Sequence, residues 1–136
     1  KTNKINKIIM KYIKKLLILG FHSANLILIT FYLYPGSIFG YILYRNSSIQ
    51  PQLTRDFIIS SNHLYAFIVL STLGIVAYQN TKKIKFIIVY LFFLSIILEL
   101  FHLIIPNRGF EMSDLFGNII GVILIIIIYK VKDKYV

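Results

Sequence analysis

Residues 84–105 read IKFIIVYLFFLSIILELFHLII and stop at Pro106. A helix rises about 1.5 Å per residue, so roughly 20 apolar residues cross about 30 Å of hydrocarbon. This run is long enough and apolar enough to span a bilayer. Three further stretches qualify, near Leu16–Tyr34, Phe57–Tyr78 and Leu115–Val131. None shows the in–out alternation of a transmembrane barrel strand. The sequence therefore predicts an all-α, polytopic membrane protein with four transmembrane helices, forming one domain over residues 1–136.

Composition agrees. Of 136 residues, 57% are hydrophobic and 15% charged, against about 45–50% and about 25% in soluble domains. Cysteine is absent, which excludes disulfides, thiolate metal sites and a thiol nucleophile. The net charge of +10 does not form a nucleic-acid patch. Twelve lysines lie in three clusters: Lys1 to Lys15, Lys82 to Lys85, and Lys130 to Lys134. The loops 35–56 and 106–114 between the spans carry only Arg45, Arg55 and Arg108. Twelve basic residues against three predict that both termini are cytoplasmic and both of those loops face outward.

Residues 1–15 place Ile5, Ile8, Ile9, Tyr12 and Ile13 at helical spacing opposite lysines. This predicts an amphipathic helix on the inner leaflet, held by anionic lipid. No small-residue cleavage site follows the first span, so that span is read as an uncleaved anchor. The apolar stretch Ile38–Tyr44 in the first outer loop is expected to dip into the outer interface.

Ionisable residues are expensive inside a bilayer and mark functional or clamping groups. Glu99 lies about 10 Å below the outer boundary by the helical rise, His102 one turn above it, and His63 about 9 Å down the second span. Asp114 opens the fourth span, with Asn118 one turn deeper. All of these meet at one level, with Arg108 in the adjoining loop. His22 lies in the other half of the membrane and is read as a packing or interface histidine. Gly117 and Gly121 form a GxxxG pair on the Asn118 face. That face is expected to pack against the third span.

The stretch Glu99-x-x-His102, Pro106-x-Arg108, Asp114-x-x-x-Asn118-x-x-Gly121 resembles the signature of the VanZ-like family of small bacterial membrane proteins. The family typically shows Gln where His102 stands, and commonly an Asp-Lys pair near Ser60. His63-Leu-Tyr-Ala-Phe and Tyr32-Leu-Tyr-Pro35-Gly are similar to its second-span and first-span patterns. The resemblance implies a four-helix bundle in the bacterial cytoplasmic membrane and, for some members, an association with glycopeptide resistance.

Three uses of the cluster His63, Glu99, His102, Arg108, Asp114 and Asn118 follow. The polar groups can satisfy one another and clamp the spans. Arg108, with both histidines, can receive an anionic lipid headgroup or a lipid-linked envelope precursor. An enzyme would use Glu99 or Asp114 as base and His63 as acid. The non-enzymatic reading is favoured because no nucleophile stands out. No cofactor is expected, and no metal, since Glu99-x-x-His102 is only half of a di-iron motif. Membrane lipids are the expected partners, and a larger membrane complex is compatible with the size.

Overall fold

The computed structural model describes the backbone of residues 2–135 and the side chains of residues 5–135, so Lys1 lies outside the described residues. The described chain is helical, with five helices and no strand. They are α1 (Thr2–Leu33), α2 (Ile38–Tyr44), α3 (Ser61–Tyr78), α4 (Ile84–Phe101) and α5 (Met112–Tyr135). All except α2 are long and apolar enough to cross a membrane, which makes this a multi-pass membrane protein.

α3 is the central helix. Its buried residues His63, Phe67, Leu70, Ser71, Gly74, Ile75 and Tyr78 recur at three- and four-residue steps, one stripe of a 3.6-residue period. Its most extensive neighbour is α5, followed by α1. On α4 the stripe Ile87, Leu91, Leu94, Ser95, Leu98 and Glu99 faces the core, and His102 continues it one step beyond the helix. Glu99 is thus buried because it occupies a core position of its helix. The opposite faces expose Phe86, Val89, Phe93 and Ile97, as a lipid-facing surface requires.

The helix boundaries differ from the sequence expectation by a few residues at several ends, α4 stopping at Phe101 and α5 running from Met112 to Tyr135, and two differences bear on the architecture. The basic N-terminal segment is not a separate interfacial helix; it continues into the first span as one helix through Gly20, and no Pro interrupts it before Leu33. The second span starts at Ser61 rather than Phe57. Its first turn is capped from outside by Asp56, whose Oδ1 accepts the Ser61 N–H at 2.8 Å, while the Ser61 hydroxyl donates to the Thr54 carbonyl at 2.7 Å. Residues 57–60 are left as an irregular, bent connector, with Phe57 93% exposed. Helix α2 forms over the apolar stretch anticipated at the outer interface. Ser37 caps it by accepting the Gly40 N–H at 2.9 Å, and Arg45 ends it in the left-handed conformation.

Candidate functional site

Five of the six anticipated residues converge at the α2 end of the bundle, where the ends of α1 and α4 meet the beginnings of α3 and α5. Glu99 is fully buried, as is Asn118, and His63 and His102 are nearly so. His63 Nε2 lies 3.4 Å from Asp114 Oδ2 and 3.9 Å from Glu99 Oε2. Three helices, α3, α4 and α5, therefore each contribute one side chain to a common point.

Each member is braced from behind. The Ser60 hydroxyl is 2.9 Å from His63 Nδ1, and a hydroxyl can donate to or accept from that nitrogen. Glu99 Oε1 accepts the Glu111 N–H at 3.2 Å and lies 3.2 Å from His102 Nδ1. The other His102 nitrogen is 3.1 Å from the Tyr32 carbonyl, which only accepts, so Nε2 carries hydrogen. The Nδ1–Oε1 contact joins His102 to Glu99 by a hydrogen bond. Among the described residues, Glu99 Oε2 has no hydrogen-bond partner.

Asn118 ties three helices together. Its side-chain oxygen accepts from the Tyr32 hydroxyl at 2.6 Å, and its amide donates to the Ser95 carbonyl at 3.2 Å. Tyr32 also stacks on His102, ring centroids 5.6 Å apart and planes 18° from parallel, and meets His63 edge-on. Sequence reading did not place Tyr32 in the cluster. The signal was present, since Tyr32 ends the first span at the same level, but no charge drew attention to it. The Ser60 hydroxyl and the Glu111 backbone were missed for the same reason.

Arg108 departs from expectation. It forms no ion pair with Glu99 or Asp114 within the described residues. Its guanidinium instead donates to the Phe31 carbonyl at 2.8 Å and the Tyr34 carbonyl at 3.2 Å, with a longer contact to Gln50 at 3.5 Å. These carbonyls are orphan acceptors at the C-terminus of α1, where a cation also suits the helix dipole. Partial burial lowers the Arg108 pKa from its ordinary value, a shift opposed by Tyr32, Glu99 and Asp114. The effect of Arg108 is thus to fasten the α4–α5 loop to the first span.

The GxxxG face also meets a different neighbour. Gly117 and Gly121 pack α5 against α3, the second span, not against α4: a Cβ at Gly117 would lie 2.7 Å from the Ser60 carbonyl oxygen, and one at Gly121 2.8 Å from that of Leu64. His22 sits apart from the cluster, its Nε2 2.9 Å from the Tyr78 hydroxyl, as a packing histidine.

Beside the cluster lies a cavity of about 620 Å³, bounded by α1, α3 and the α2 loop. The first and second spans form its long walls. Its deeper wall is apolar, with Ala24, Leu28, Val69 and Leu70, while Asn62, His63, His102 and Arg108 line its rim. From Ala24 to Tyr32, or Asn62 to Leu70, the helical rise gives a depth of about 12 Å.

The chain belongs to the VanZ/LLP1 family, whose model matches residues 9–133. No curated protein and no solved structure matches it significantly.

Proposed function

We propose that this VanZ/LLP1 protein is a non-enzymatic component of the bacterial cytoplasmic membrane that binds an anionic lipid, or a lipid-linked envelope precursor, at the outer leaflet. The observation that carries the reading is the amphipathic cavity: a slot about 12 Å deep by helical rise, apolar below and polar at the rim, suits one lipid chain and its headgroup. Arg108 keeps N–H donors beyond those committed to α1, and guanidinium planes favour phosphate and carboxylate oxygens. The polar cluster next to it acts as the clamp that keeps the cavity walls in register. Occupancy by an envelope precursor would join this site to the glycopeptide association that the family resemblance implies.

Native mass spectrometry of the whole chain in mild detergent tests the binding. The unmodified protein should retain one anionic lipid. Arg108→Gln, which removes the charge, and Ala66→Trp, which fills the slot without touching the cluster, should each reduce retention severalfold. Equal retention in both variants would refute the proposal.

The orientation on which an outer-leaflet site depends has its own test. Because the chain has no native cysteine, a single cysteine reports cleanly. Ser48→Cys should react with an impermeant thiol reagent on intact cells, and Lys82→Cys only after the membrane is opened. The opposite pattern would invert the topology.

A further inference from the structure

We infer that His63, Glu99 and Asp114 form a binding site for one divalent transition-metal ion of the Zn²⁺ class. His63 Nε2, one Glu99 oxygen and one Asp114 oxygen lie within 4.8 Å of one another. Metal ligands at about 2.0–2.2 Å in tetrahedral geometry stand roughly 3.3–3.6 Å apart. The observed 3.4 Å and 3.9 Å from His63 Nε2 are close to that spacing, and small side-chain rotations supply the rest.

Glu99 supplies a second, independent observation. It is fully buried, yet Oε2 has no hydrogen-bond partner among the described residues and is the oxygen that faces His63 Nε2. A buried, unpartnered carboxylate oxygen is costly, and native proteins rarely leave one without a use. Its sister oxygen is fully engaged by His102 and the Glu111 N–H. That division of labour is how ligating carboxylates are held: one oxygen anchored from behind, the other free for the ion. His63 has the matching support, because the Ser60 hydroxyl can accept a hydrogen bond from Nδ1–H and so leave Nε2 bare.

Charge and chemistry agree. Two carboxylates from different helices face one imidazole, while Arg108 is committed to the end of α1. A divalent ion would neutralise the two acids, and an imidazole with two carboxylates suits Zn²⁺ and its neighbours better than Mg²⁺ or Ca²⁺. Asp114 is 16% exposed, which gives the ion a way in from the aqueous end. Three protein ligands leave one position of a tetrahedral ion open. The Glu99-x-x-His102 spacing concealed the site, because His102 is a brace for Glu99 and not a third ligand.

This inference does not depend on lipid binding, and its test is separable from it. The full chain, purified without a histidine tag or chelator, should carry about one transition-metal ion per molecule by elemental mass spectrometry. Glu99→Gln and the milder Asp114→Asn should each lower that severalfold, whereas His22→Ala should not. Loading the metal-stripped protein with Co²⁺ should give visible absorption bands of a low-symmetry site and raise its melting temperature. Both responses should be lost in Asp114→Asn. Absence of metal from the purified protein together with no Co²⁺ bands in the unmodified chain would overturn the assignment, as would bands that survive both substitutions.

Discussion

Gly121→Leu is expected to be among the most damaging single substitutions in this protein, costing at least about 3 kcal/mol, the upper end of overpacking penalties. A Cβ at Gly121 would stand 2.8 Å from the Leu64 carbonyl oxygen and 3.0 Å from the Phe67 Cβ. Neither the backbone of α3 nor a Cβ attached to it can swing aside. The same holds one turn earlier, where a Cβ at Gly117 would meet the Ser60 carbonyl oxygen at 2.7 Å and the His63 Cβ at 3.2 Å. Helices in lipid gain little from apolar burial against each other, so close backbone approach is their main source of packing energy. Forcing α5 away from α3 would also draw Asp114 away from His63. Melting of the detergent-solubilised protein should therefore fall steeply for Gly121→Leu. Gly20→Leu, where nothing lies within 4 Å of the added carbon, serves as the control and should change little. Equal effects at Gly20 and Gly121 would contradict the α3–α5 packing described above.

Glu99→Ala should rank beside it, with a loss of about 3–5 kcal/mol, the usual result of removing one member of a buried charged network. The substitution strips His102 of its Nδ1 partner and leaves the Glu111 N–H without an acceptor. It also opens a void on the buried stripe of α4. Glu99→Gln keeps the shape and one acceptor oxygen, so it should lose less than half as much stability. Glu111→Ala should stay within about 0.5 kcal/mol, because the Glu111 side chain is exposed and only its backbone N–H serves the cluster. Unfolding titrations of the three variants distinguish the cases. A mild effect of Glu99→Ala, comparable to Glu111→Ala, would remove the cluster from the forces that hold the bundle together.

The two glycines and Glu99 show where sequence reading succeeds and where it stops. That Gly117 and Gly121 mark a packing face was legible from their spacing, yet the partner was not: α3 took the place expected for α4. Arg108 was likewise expected beside the carboxylates, but its donors went to the carbonyls at the end of α1, as the helix-terminus rule would have allowed. Tyr32 entered the cluster through a hydroxyl that carries no sign of its destination in the chain.

The sequence alone determined the four apolar helices, the lysine asymmetry and the level at which His63, Glu99, His102, Asp114 and Asn118 meet. Those properties are axial. Span length, distance to a Pro or a cap, and the rise per residue are all set locally along one helix. Only the tertiary structure decided the rotation of each helix about its axis and the choice of its neighbours. These placed GxxxG on α3, Arg108 on α1, the cavity between α1 and α3, and one unpaired Glu99 oxygen against His63. Such choices follow from side-chain interdigitation between segments far apart in the chain, for which a single sequence records the depth of each group but not its direction.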